Sequence, residues 1–139
     1  MQKNYEIIDH TADIGVRVSA GSLKELFANA GLAVFRISCR KQFTKDKKHT
    51  PIIIKQKADT LEELFIGWLN ELISVSGAKS LIFHKIEIEK LEGCSLQARC
   101  VASSVVNYKV NIELKAATYH NLSIKQVDAG WQAEVIFDV

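Results

Sequence analysis

An α+β fold is predicted by three observations. Two capped amphipathic helices can be read in the first half of the chain, each preceded by a β-rich run. The hydrophobic period then changes from 3.6 to 2 and alternates to the last residue. No linker divides the chain, which contains a single proline, Pro51. The expected order is β-α-β-α followed by an antiparallel run of strands, with two helices packed on sheet faces in a single domain over 1–139.

Each element has a local reason. Ile14 to Val18 reads as the first strand. Ser22-Leu-Lys-Glu25 is a capping box, in which the serine oxygen accepts from a free backbone N–H and the glutamate reaches back to the cap. Leu23, Leu26, Phe27, Ala30 and Val34 follow at helical spacing, so a helix is expected near 22–38. Arg40 to Lys48 is rich in charge and ends in His49-Thr50-Pro51, which reads as an exposed loop. Ile52 to Lys57 is the next strand. A second helix is expected near 59–76, opened at Asp59 or Thr60 by the capping box Thr60-Leu-Glu-Glu63 and stopped by Gly77. The two helix starts align without gaps. That likeness reads either as a strand–helix pseudo-repeat or as what any two capped helices share.

Five strands are expected after residue 79. Ile82, His84, Ile86 and Ile88 alternate with Phe83, Lys85, Glu87 and Glu89. Leu96, Ala98 and Cys100 alternate after a turn at Glu92-Gly93. Val110, Ile112 and Leu114 form a third run, and Leu122 and Ile124 a shorter fourth. A turn at Asp128-Gly130 leads to Trp131, Ala133, Val135 and Phe137. One-sided alternation broken by short turns is the mark of antiparallel strands with one wet face.

Composition excludes several classes. At 47% hydrophobic and 24% charged residues the chain is too apolar to be disordered. Its longest apolar runs fall far short of the roughly 20 residues a membrane helix needs. The start lacks the apolar stretch and cleavage site of a secretory signal, so a cytoplasmic protein without membrane contact is expected. The formal net charge of +2 gives no support for stand-alone nucleic-acid binding. Cys39, Cys94 and Cys100 form no CxxC pair and are expected to be reduced, partly buried thiols.

No nucleophile elbow, Walker-type glycine loop or HExxH motif is present. Three segments remain of chemical interest. Asp9-His10-Thr11-Ala12-Asp13-Ile14-Gly15 packs two carboxylates, an imidazole and a hydroxyl between two β-like runs. It reads as a polar turn or as a hard-cation site. Glu134-Val-Ile-Phe-Asp138-Val139 alternates to its end, which sets the α-carboxylate of Val139 near that of Asp138. A cation or a cationic partner group would relieve the repulsion; otherwise the charges are simply hydrated. In Lys115-Ala-Ala-Thr-Tyr-His120, expected to join two strands, Lys115 and His120 could hold a phosphate or carboxylate, or could be ordinary solvated residues.

Taken with the Leu26-Phe27 helix and Trp68-Leu-Asn-Glu-Leu72, these three segments resemble the archease family, in order and over essentially the whole chain. The resemblance implies the β-α-β-α fold with a following run of strands. It implies a divalent cation, calcium in the family with magnesium or manganese as alternatives, held by Asp13, Asp138 and Val139. Asp9, His10, Lys115 and His120 are then candidate partner or phosphate contacts. The implied role is non-enzymatic: promoting guanylylation and multiple turnover of a GTP-dependent RNA-splicing ligase, with RNA contacted only through the ligase. An older view of the family is a chaperone or modulator of RNA-modifying proteins. A metal-dependent phosphoester hydrolase using Asp9, His10, Asp13 and Asp138 is the reading from another class. Three carboxylates are few for calcium, which takes 6–8 oxygens, so coordination positions would stay open to a partner or phosphate. The basic loop 40–49 carries no meaning in this resemblance.

Overall fold

The computed structural model describes residues 4–9 and 13–139. The expected order holds, with the strands before each helix doubled. β1 (Tyr5–Asp9) and β2 (Asp13–Ala20) precede α1 (Leu23–Ser38). β3 (Cys39–Lys41) and β4 (His49–Lys57) precede α2 (Leu61–Lys79). β5 (Leu81–Glu92), β6 (Ser95–Ser104), β7 (Tyr108–Val110), β8 (Ala116–Val127) and β9 (Gly130–Asp138) complete the chain, with a 3-10 turn at Val105–Asn107. All pairings described are antiparallel. They build a four-stranded sheet in the order β1-β2-β9-β8, a three-stranded sheet β4-β6-β5 and a two-stranded ribbon β3-β7.

The helices start where the capping boxes place them. The Glu25 amide donates to Ser22 Oγ at 3.2 Å and the Glu63 amide to Thr60 Oγ1 at 3.1 Å. The Glu25 carboxylate reaches one residue past the cap and accepts from the Gly21 amide at 2.9 Å. α2 is buried at Leu64, Phe65, Ile66, Trp68, Leu69 and Leu72, around too much of its circumference for a one-sided surface helix. Accordingly it packs on β8 of the four-stranded sheet and on β4 and β5 of the other, while α1 packs on β2, β9 and β5. The core lies between the two sheets and is centred on the helices. Phe27 meets Phe65 edge-on with ring centroids 5.1 Å apart, and Trp68 Nε1 donates to the Phe27 carbonyl at 2.8 Å.

Both expected turns close hairpins. Gly93 takes φ 57 between β5 and β6, and Gly130 takes φ 143 between β8 and β9. A Cβ on Gly130 would lie 2.2 Å from the Ala20 carbonyl oxygen, so no side chain fits there without moving the backbone.

Three expectations need correction. Gly77 does not stop α2, which continues to Lys79; Ser80 takes the left-handed conformation (φ 55) and its amide donates to the Ser76 carbonyl. Val110, Ile112 and Leu114 do not line one strand. The ladder ends at Val110, and the Asn111 and Ile112 amides both donate to the Ser38 carbonyl at the end of α1, at 2.8 and 3.1 Å. Val110 and Ile112 are exposed, and only Leu114 is buried. Lys115-Ala-Ala-Thr-Tyr-His120 is not a connection between strands, because from Ala116 it is already β8. Its register with β9 breaks between Thr118 and Ser123, where Asn121 takes φ 52.

Cys39 and Cys100 are buried, Cys94 is half-buried in the β5–β6 turn, and all three are free. Burial pushes the Cys100 thiol up to about 12 and also raises Cys39. Thiolate is the reactive form, so a water-soluble disulfide reagent at neutral pH should label one cysteine per native chain, at Cys94. Mass spectrometry after digestion checks the site; rapid labelling of Cys100 in the native protein would contradict the packing. Among the described residues no helix is long and apolar enough to cross a membrane.

Candidate functional site

The start of β2 and the end of β9 meet at one end of the four-stranded sheet. β2 and β9 are central neighbours, and their register sets Asp13 directly opposite Asp138. Side chains alternate along each strand. Val16 and Val18 of β2 and Val135 and Phe137 of β9 face the helices and are buried. Asp13 and Asp138 have the opposite parity and point to the outer face together. Directly opposed residues hold their Cβ atoms about 4.5–5.5 Å apart, and like charges there destabilise the pair.

The surroundings fix this end firmly. The Lys115 amide donates to the Asp138 carbonyl at 2.8 Å, and Ala116 is the register partner of Asp138 on β8. Thr118 Oγ1 donates to the Ile136 carbonyl at 2.9 Å. On the free side of β8, Asn70 of α2 donates through Nδ2 to the Ala117 carbonyl at 3.2 Å. It also accepts from the Ala117 amide on Oδ1 at 2.7 Å. In the sequence Asn70 stands out only within Trp68-Leu-Asn-Glu-Leu72, because Glu71 beside it and Glu62, Glu63 and Lys79 on the same helix are polar too.

On the same outer face Arg17 bridges Glu134 at 2.7 Å and Glu6 at 3.3 Å. Hydrogen bonding and then charge from Glu134 hold its guanidinium above the ordinary value. Arg17 lies four residues from Asp13 along β2, about 13 Å at 3.3 Å per residue. It is engaged by two glutamates, and none of the ion pairs among the described residues involves Asp138.

Of the residues singled out in sequence, Asp13, Asp138 and Val139 are therefore brought to one place, with the Lys115 backbone beside them. Val139 follows Asp138 and is 45% exposed. Asp9 ends β1 and pairs in register with Ile14, one residue from Asp13. His10 lies outside the described residues. His120 lies in the irregular stretch of β8, five residues along the chain from Lys115.

The donor set fits a hard divalent cation. Asp13 and Asp138 would hold it with oxygen from Val139, because carboxylate and other oxygen donors sharing one face suit a hard cation. Among the described residues no group of three or more His, Cys, Asp or Glu side chains forms, at this end or elsewhere, so the site would offer two side-chain carboxylates and main-chain oxygen. Such an ion would supply positive charge at an exposed, oxygen-lined edge.

Comparison with known proteins agrees with this architecture. The model of the Archease protein family (MTH1598/TM1083) matches residues 5–139. The archease of Methanosarcina acetivorans is 32% identical, with 99% of this chain and 97% of that one covered. The archease of Pyrococcus abyssi is 30% identical, with 99% of each chain covered. The solution structure of protein 1598 of Methanobacterium thermoautotrophicum superposes with a TM-score of 0.69 at 25% identity, over 99% of this chain and 100% of that one. The crystal structure of a Thermotoga maritima archease, described as a possible chaperone, shares the fold with a TM-score of 0.64 at 23% identity, over 95% of this chain and 94% of that one. With a match that begins in β1 and runs through Asp138 to Val139, this chain belongs to the archease family.

Proposed function

We propose that this protein is a non-enzymatic activator of a GTP-dependent RNA ligase, promoting guanylylation and repeated turnover through a divalent cation at the acidic sheet end. The carrying observation is the direct opposition of Asp13 and Asp138 at an exposed strand end. Membership of the archease family supports the choice of partner. A partner's acidic, phosphate or main-chain oxygens could complete the coordination of an ion held by so few protein donors. Positioning a metal-bound triphosphate is largely geometry and electrostatics, so a docked acidic edge can assist without supplying a nucleophile.

The test uses ligase in small molar amount with RNA bearing 3′-phosphate and 5′-hydroxyl ends, GTP and a divalent cation. Labelled ligase–GMP and joined product per ligase are measured. With this protein present, product should exceed one per ligase several-fold, while the protein alone should leave nucleotides and RNA intact. Unchanged turnover overturns the reading. Metal-dependent phosphoester cleavage by the protein alone, lost in Asp13→Ala, would replace it by a hydrolase. More soluble ligase with unchanged turnover per active molecule would replace it by a chaperone.

A further inference from the structure

The modest net charge conceals a strong segregation. β3, the 42–48 loop, β7 and the bulge of β5 meet at one corner of the molecule. Arg40, Lys41, Lys45, Lys47, Lys48 and Lys109 lie there, together with Lys85 beside His84. These are seven of the chain's 18 Lys and Arg residues, with Asp46 the single one of its 16 Asp and Glu residues in those segments. The corner carries a formal +6 and the rest of the chain −4.

Four features make this more than a solvated loop. Arg40 and Lys109 are directly opposed across the β3–β7 ribbon, a like-charge pair that weakens the ribbon unless an anion sits over it. None of these cations takes part in an ion pair among the described residues. The loop is held in shape by Asn107, which is buried. Asn107 Oδ1 accepts from the Lys45 and Asp46 amides at 2.8 and 2.9 Å, its Nδ2 donates to the Asp46 carbonyl at 2.8 Å, and its own carbonyl accepts from the Gln42 amide at 2.9 Å. The Asp46 carboxylate accepts from the Lys48 amide at 2.9 Å. The lysines are thus displayed on a fixed frame.

The fourth feature is aromatic. Phe43 stands 71% exposed near the start of the loop, between Lys41 and Lys45 in sequence. Beneath the ribbon a groove of about 360 Å³ is floored by Phe35 and Phe83, with Arg36, Lys41 and His84 also lining it. His84 Nε2 lies 3.1 Å from His49 Nδ1. An exposed ring among phosphate-binding cations suits an unpaired base, whereas a duplex keeps its bases stacked away from such a ring.

We propose that this corner binds a single-stranded nucleic acid, with phosphates on the lysines and arginine and a base stacked on Phe43. The segment 111–115 joins the corner to Ala116 at the acidic edge and spans at most about 20 Å. Asp138 therefore lies within a few nucleotides' reach of a strand held here. The inference does not depend on the acidic site.

The test is fluorescence anisotropy of the isolated protein with a labelled 12-nucleotide RNA, a DNA of the same sequence, the RNA duplex and polyglutamate, over a salt series. The single strands should bind more tightly than the duplex, with affinity falling steeply as salt rises, and the tighter of RNA and DNA identifies the sugar read. A variant carrying R40Q, K45Q, K47Q and K48Q should lose about tenfold or more in affinity at low salt. Its log–log salt slope should shrink by about 0.7 for each phosphate contact removed. Phe43→Ala should lose about five- to tenfold with the salt slope unchanged. Circular dichroism should show both variants folded. The proposal is overturned by absence of single-strand binding at low salt, or by binding indifferent to both the charge variant and Phe43→Ala. Polyglutamate binding as tightly as RNA, with Phe43→Ala silent, would also overturn it and assign the corner to an acidic protein.

Discussion

Asp138→Asn should abolish calcium binding and stimulation of the ligase while leaving the fold intact. Asp138 is exposed, and its strand is held by Val135 and Phe137 inside and by the Lys115 and Thr118 contacts outside. None of these needs the carboxylate. The substitution keeps an oxygen but removes the charge a hard cation requires. Loss of a residue that only orients a metal ligand typically costs 10–100-fold in affinity, and loss of a ligand should cost at least about that much. Without metal, stability should hold or rise slightly, because a like-charge pair across β2 and β9 is relieved. The measurement is thermal unfolding with and without calcium. The parent should be stabilised by about 2.7 kcal/mol at a hundred times its dissociation constant, and the variant should not respond. Equal calcium stabilisation of both proteins would remove the cation from this site.

Trp68→Ala should cost about 3–5 kcal/mol and leave a chain that unfolds at much lower urea. Trp68 is completely buried and ties the two helices together, both by packing and by its bond to the Phe27 carbonyl. A Cβ placed on Gly31 would stand 3.1 Å from the Trp68 ring, so the indole lies against the bare backbone of α1. Removing it opens a void that neither helix can fill without shifting against a sheet. Trp68→Phe should cost less, since most of the packing volume remains and the hydrogen bond is lost. Urea midpoints at constant slope check the order: parent, then Phe, then Ala. An Ala variant within about 1 kcal/mol of the parent would mean that the helix–helix contact is not the keystone of the core.

The sequence was most readable where chemistry is local. Ser22 and Thr60 announce their helices because the capping oxygen and the amide it serves are three residues apart. Gly93 and Gly130 announce their turns because the backbone there needs positive φ. Gly77 misled for the complementary reason: glycine is permitted in a helix, and αL is open to Ser80 at modest cost. Over Val110 to Leu114 alternation does not mean burial, because the end of α1 tethers that segment through Ser38. The acidic site was legible as two separate segments, but the register that opposes Asp13 to Asp138 joins opposite ends of the chain and leaves no local trace. Averaging did the same to the basic corner, since a net charge of +2 contains both signs in separate places.

The clasp of Asn70 on Ala117 has one further effect. An open strand edge is a template on which another chain can hydrogen-bond, and β8 is an outer strand of its sheet. The carboxamide occupies both the donor and the acceptor of Ala117, the pair an incoming strand would use. A single side chain thus stands in for a fifth strand and ends the ladder at that point. The edge nearest the acidic end is closed to accretion, and sheet-to-sheet polymerisation is denied a start there even at high concentration.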